Sequence, residues 1–319
     1  MNKILSIIVP SYNTEKYMND CVGTMLDDRI LDDIEILIVN DGSKDNTASL
    51  ADALAEKHPN TVRHINKENG GHGSTINRGI AEATGKYLRV IDGDDWVDTE
   101  QFVEYIEALK NSNEDIIMTP FQHYYEADKG KDNVDITCPA GSYNFAEITD
   151  SVFRSYQIHS TTFKTETIRN IRKIREHCFY VDQEYVFYPL CFAKTVKVLP
   201  NYVYQYRIGT QEQSVSMANM VKNRKMHMSV IFDLIDFLSE ENIDPAIRSF
   251  IVKRVGMLGR RQIEIFLAME DKAEGRRECN SYLKELKEKS REVFNAMPGA
   301  RSRLFRFNSN LAFAVFYGR

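Results

Sequence analysis

Three carboxylates crowd into VIDGDDW, residues 90–96, where an apolar run ends in Asp92, Gly93, Asp94 and Asp95. Like charges this close repel, so the folded chain needs a cation or several hydrogen-bond donors beside them. A divalent ion meets that need economically. Hard cations such as Mg²⁺ or Mn²⁺ take oxygen ligands, share them with substrate phosphates, and ask a protein for only one or two carboxylates. Gly93 lets the backbone approach a ligand closely. The same residues also suit a plain acidic turn ahead of a helix that starts near Thr99.

Two further segments carry candidate chemistry. In EILIVNDGSKDNT, residues 35–47, an apolar strand ends at Asn40 and Asp41, Gly42 turns the chain, and Ser43 or Asp45 can cap the next helix. At a strand's carboxyl end the Asp41 carboxylate could accept a nucleobase N–H, although capping and turn chemistry account for the stretch about as well. NGGHGSTINRG, residues 69–79, holds four glycines and a helix that starts near Ser74, and could offer a diphosphate a close backbone approach. It has neither the GxxxxGK[ST] nor the GxGxxG form, which disfavours a mononucleotide kinase or a nicotinamide enzyme.

Taken together with SIIVPSYN (6–13), these segments, in this order and with this spacing over roughly residues 4–125, resemble the inverting glycosyltransferases of family 2, with a GT-A nucleotide-sugar-binding domain. The resemblance implies a UDP-sugar donor and a metal-dependent transfer to a hydroxyl acceptor. By it, Pro10, Ser11 and Tyr12 with Asp41 would hold the base and ribose, Asp41 at the uracil edge. Asp92 would lie toward the ribose, Asp94 would ligate Mn²⁺ or Mg²⁺, and Asp95 and Trp96 would face the sugar or acceptor. Gly70, Gly71 and Asn77 fall where the family lines the donor pocket.

Inverting transfer also needs a general base for the acceptor hydroxyl. The family often carries Glu-Asp-x-x-Phe, and CFYVDQEYVFYPL at 178–190 matches it at Asp182, with Val181 in place of the Glu; Glu184 is the reserve. Asp182 reads equally as a helix cap. His72 and His159 lie in segments that could border the donor and acceptor sites, or each completes a local hydrogen-bond network. Tyr202, Tyr204, Tyr206 and Arg207, then QSVS at 213–216, resemble the family's strand and closing segment. A nucleotide-sugar-binding subunit without activity is the alternative function. The acceptor class implied is a glycan, glycoprotein or lipid-linked saccharide of a bacterial surface polymer.

The elements that must hold these residues follow from pattern. Leu5–Val9, Ile34–Asn40, Val62–Asn66 and Tyr87–Ile91 read as strands; Tyr17–Asp28, Asn46–His58 and Ile76–Ala83 between them read as helices. This alternation predicts an α/β fold on a largely parallel sheet, with its ligand crevice outside the strands' carboxyl ends. A helical pattern covers Phe102–Lys110, an apolar run Ile116–Tyr125, and from about 219 the pattern is helical throughout. The expected division is therefore 1–218 and 219–319.

Charge divides the same way: residues 1–218 hold 22 Lys and Arg against 33 Asp and Glu, a net of −11, and residues 219–319 hold 19 against 13, a net of +6. An acidic half argues against nucleic acid as the main ligand. Five scattered cysteines in no CxxC pair suggest neither disulfides nor zinc. The start reads as a strand rather than a signal core, and no apolar stretch of about 18 residues occurs, so a cytoplasmic protein is expected. Residues 301–319 carry four arginines, no acid and many apolar side chains. They suit docking within the protein or an oligomer, or contact with an anionic membrane surface.

Overall fold

Strands that are apolar on both faces need a layer on either side, and the N-terminal half of the chain is organised around two of them and the two strands that flank them. In the computed structural model, which describes residues 3–209 and 216–317, β1 (Leu5–Ser11) and β2 (Ile34–Asn40) are buried along their whole length. β3 (Val62–Asn66) and β4 (Tyr87–Val90) complete a parallel set in the order β3-β2-β1-β4. Helices α1 (Met18–Gly23), α2 (Thr47–Lys57) and α3 (His72–Glu82) connect them. Ser11 lies opposite Asn40, so β1 and β2 finish level. Ile8 lies opposite Val90, which leaves the last residues of β1 running beside the turn that follows β4.

The apolar run at 116–125 is not one strand. After β5 (Trp96–Val97) and α4 (Thr99–Lys110), it splits at Thr119–Pro120 into β6 (Ile116–Met118) and β7 (Phe121–Tyr125), which belong to different sheets. Following β8 (Lys131–Val134) and β9 (Gly141–Asn144), β10 (Thr161–Lys164) enters antiparallel between β4 and β6. Next come α5 (Thr165–Ile168), α6 (Asp182–Phe187) and β11 (Thr195–Val198), which pairs with β6 and β9 to finish the eight-stranded sheet. β12 (Tyr204–Ile208) joins β5 and β7, with β8 at the edge, in a second sheet of four strands. Asp98 caps α4 by accepting the Gln101 N–H at 3.1 Å.

The chain forms two compact units, Met1–Thr210 and Gln211–Arg319. The second is helical: α7 (Met217–Lys222), α8 (Arg224–Glu240), α9 (Pro245–Ala268), α10 (Lys272–Lys289), α11 (Arg291–Ala296), α12 (Gly299–Phe307) and α13 (Ser309–Tyr317). Its core gathers Leu234, Ile251, Val255, Phe266, Tyr282 and Leu286. Among the described residues no helix is long and apolar enough to cross a membrane.

That core also holds an imidazole. His227 on α8 is buried with Nδ1 2.7 Å from Gln262 Oε1 on α9, and burial holds its pKa down to about 4 against the upward pull of Gln262. An unfolded His titrates near 6.5, so between about pH 6.5 and 4 the unfolded chain binds a proton that the folded one refuses. Stability should therefore fall as pH falls through that window, by up to roughly 1.4 kcal/mol per pH unit. Urea midpoints measured across it should show the slope, and His227→Gln should remove about one proton's worth; an unchanged slope in the variant would contradict this assignment.

Candidate active site

The acidic turn sits where β4 ends beside β1. The Ile91 N–H donates to Ile8 O at 2.9 Å, the Gly93 N–H to Pro10 O at 3.2 Å, and the Asp95 N–H closes back on Asp92 O at 3.0 Å. A Cβ on Gly93 would stand 2.8 Å from Pro10 O. The glycine expected to admit a ligand thus admits the neighbouring strand.

Each carboxylate of the turn has a different environment. Asp95 is buried and both its oxygens are taken: Oδ1 by the Arg207 N–H at 2.7 Å and Oδ2 by the Tyr204 hydroxyl at 2.6 Å. Burial, with Asp94 and Asp92 adding repulsion, pushes its pKa well above the usual carboxylate range. Asp92 is half-buried, with Oδ1 2.9 Å from His72 Nε2. Burial would raise its pKa, but the His72 imidazole outweighs it and holds it below the ordinary value. Among the described residues no other side chain donates to the half-buried Asp94 carboxylate, and burial and Asp92 push it up to about 6.

Arg207 fastens the turn from β12. Its Nε donates to Asp94 O at 2.8 Å, its Nη1 pairs with Glu126, and its guanidinium lies over the rings of Trp96 and Tyr17 at 4.5 and 4.8 Å. Tyr204 does the same work deeper in, its hydroxyl also accepting the Asp92 N–H at 3.2 Å. Tyr204 and Tyr206 present one face to His159, at 4.8 and 4.3 Å between centroids. His159 is 9% exposed, its Nδ1 has no hydrogen-bond partner, and burial lowers its pKa to about 4. Tyr202 lies ahead of the strand and bonds Asp135 instead. Of QSVS, residues 213–215 lie outside the described residues; Ser216 caps α7.

The expected nucleotide end is next to this turn. Ser11 is buried, with its hydroxyl on Val9 O at 3.1 Å, whereas Tyr12 is 47% exposed at the end of β1. Asp41 is buried, and its carboxylate accepts the Gly70 and Gly71 N–H groups at 2.9 and 2.8 Å and Lys67 Nζ at 2.7 Å. Gly71, at φ +81°, needs glycine, and a Cβ on it would stand 3.3 Å from the His177 N. One on Gly73 would fall 2.0 Å from Arg175 O. The glycines thus make room for the chain's own 174–178 segment, which the Asn77 carboxamide clasps at Ile174 O (2.7 Å) and Ile174 N (3.0 Å).

That segment leads into α6. Asp182 is its first residue, Val181 is the capping residue, and no side chain caps the helix, so the capping role weighed for Asp182 is not the one it has. The half-buried Asp182 carboxylate accepts Gln183 Nε2 at 2.7 Å. Burial raises its pKa, the charge of His72 lowers it and that of Asp92 raises it, which places all three groups in one electrostatic cluster. Glu184 is fully buried against Arg175, at 2.6 Å to Nε and 2.9 Å to the N–H. It holds the loop. Lys67 and Arg89 are bracing residues that the sequence does not single out, and for Tyr204 and Arg207, which it does, their bonds to the acidic turn are what it leaves hidden. Arg89 is fully buried, with Nη2 2.5 Å from His159 O.

Comparison with known proteins gives the chain's family and fold. The model of the family described as Glycosyl transferase family 2 matches residues 6–176. Among curated relatives, the uncharacterized glycosyltransferase EpsJ of Bacillus subtilis is 38% identical over 117 residues, which is 37% of this chain and 33% of that one. Glycosyltransferase GlyG of Streptococcus pneumoniae is 34% identical over 40% of this chain and 42% of its own length. The chain thus spans between a third and a half of the length of these relatives. Among solved structures, S. aureus TarS 1-349 in complex with UDP-GlcNAc superposes with a TM-score of 0.75 at 15% identity, over 98% of this chain and 89% of that one. Mannosyltransferase PcManGT from Pyrobaculum calidifontis, in complex with GDP-Man and Mn²⁺, gives 0.56 at 13% identity, over 99% and 87%. The chain therefore belongs to glycosyl transferase family 2, a family of glycosyltransferases, and has their GT-A fold.

Proposed function

We propose that this chain is an inverting, metal-dependent glycosyltransferase that moves a sugar from a UDP-sugar to a hydroxyl of a surface-polymer glycan. The observation that carries the reading is that Asp92 and Asp94 in the turn after β4, His72 at the start of α3, bonded to Asp92, and Asp182 at the start of α6 feel one another's charge. The molecules bound to TarS and to the mannosyltransferase, a UDP-sugar and a GDP-sugar, support a nucleotide-sugar donor. Relatives named for teichoic acid synthesis, 28% and 26% identical over about three quarters of this chain, support the acceptor class.

The residues fit a divalent cation. Among the described residues no side chain donates to the Asp94 carboxylate, and burial and the charge of Asp92 raise its pKa by more than Arg207 and His72 lower it. Ligand atoms of Asp92, Asp95 and His159 also converge within 4.8 Å. Using Asp95 there would sacrifice its bond to Tyr204 or Arg207, so Asp94 is the favoured ligand. A bound cation would neutralise charge gathering on the departing diphosphate.

The chain's own groups do the rest. Pro10, Ser11 and Tyr12 would border the base and ribose, with Asp92 toward the ribose. Asp41, beneath Gly70 and Gly71, fixes the loop that would face the uracil edge. Asp182 takes the proton of the acceptor hydroxyl as its oxygen attacks the anomeric carbon and the diphosphate leaves from the opposite side. Its raised pKa makes it a stronger base than an exposed aspartate. Asp95 acts by shaping the turn through its two bonds.

Trp96 is the sole tryptophan and lies two residues from Asp94. Mn²⁺ should therefore quench its fluorescence in the parent chain, and Asp94→Asn should weaken that titration by at least the roughly 10–100-fold known for lesser perturbations of metal sites. An unchanged titration would move the ligand elsewhere. Asp182→Asn should lower turnover by about 10²–10⁴-fold with the donor KM kept. Glu184→Gln should instead cost stability, about 1–3 kcal/mol, and leave turnover of the folded fraction intact. The reverse pattern would make Glu184 the base.

A further inference from the structure

The C-terminal helix pair has two faces with different fates. Inward, Phe305, Ala312 and Phe313 are buried, the Phe305 ring lies 5.3 Å from Phe313 and 6.1 Å from Phe316, and Arg306 Nη1 caps the carbonyls of Phe294, Asn295 and Met297. That half packs within the helical unit itself. Outward, Phe307 is 84% exposed, Leu311 49% and Val315 42%, and Arg301 and Arg303 are exposed beside them in sequence. Arg303 and Phe307 stand four apart on α12, and Leu311 and Val315 four apart on α13, so each pair shares a helical face. No acidic residue follows Glu292.

We propose that this outer face docks on an anionic lipid bilayer, lying in the headgroup region rather than crossing it. Charge complementarity selects this occupant. Arginine next to exposed Phe, Leu and Val gains both apolar burial and attraction to lipid phosphates. A second copy of the chain, meeting the same patch across a two-fold axis, would set Arg301 and Arg303 against themselves with no carboxylate between. α13 has nine residues and no charged side chain, long enough to lie in an interface and far too short to span one.

Flotation of the full chain with phosphatidylcholine vesicles, with and without phosphatidylglycerol, tests this with no sugar donor present, so its outcome is independent of the transferase reading. The chain should float with the anionic vesicles only and be released by high salt. Arg301→Gln with Arg303→Gln should weaken binding about fivefold per charge removed. Phe307→Ser with Leu311→Ser should weaken it at least about tenfold, with the melting temperature kept in both pairs because the sites are exposed. Failure to float with anionic vesicles, or equal flotation of the parent and both variants, would overturn the proposal. So would a dimer seen by light scattering that Phe307→Ser dissolves, since the face would then belong to a second copy.

Discussion

Packing three carboxylates into four residues at the end of a buried strand is the constraint from which the rest of the first unit follows. Burial and mutual repulsion raise Asp94 and Asp95 together, and an uncompensated cluster of this kind would swell or protonate. The fold answers with donors drawn from far along the chain. β12 brings the Tyr204 hydroxyl and the Arg207 N–H to Asp95, and the start of α3 brings His72 to Asp92. The second sheet, small as it is, earns its place by carrying that strand. Among the described residues Asp94 alone of the three receives no side-chain donor, which is why the proposed cation is assigned to it.

The same division between structural and available groups runs through the other segments. Asp41 looks like a ligand in isolation, yet its carboxylate braces the Gly70–Gly71 turn and Lys67. Asp182 and Glu184 are two residues apart on one short helix. Glu184 is spent on Arg175, whereas Asp182 keeps a half-buried carboxylate coupled to His72 and Asp92. Gly71, Gly73 and Asn77 work together to seat residues 174–178, the segment that leads into α6.

Much of this was legible before any coordinates. The four parallel strands announce themselves because β-branched runs alternate with helical periods. The second sheet is not legible, because Ile116–Tyr125 reads as one apolar run and only the backbone shows it divided at Pro120, which has no N–H to donate to a ladder. Nor is the antiparallel entry of β10 between β4 and β6, a pairing across some 70 residues that no local pattern encodes. For the candidate site, residue types single out the acidic turn but not the bonds that brace it. Tyr204 and Arg207 lie over 100 residues from Asp95, and no local pattern shows that Gly71 and Gly73 make room for residues 174–178.

The central claim is that the turn leaves Asp94, and not Asp95, to a divalent cation beside a nucleotide diphosphate. Anomalous scattering from crystals grown with Mn²⁺ and UDP tests it most directly. The account predicts a peak roughly 2.0–2.2 Å from an Asp94 carboxylate oxygen, with Asp95 still bonded to Tyr204 and Arg207. A peak held by Asp92, Asp95 and His159 with Tyr204 displaced, or UDP bound away from the ends of β1 and β4, would contradict it.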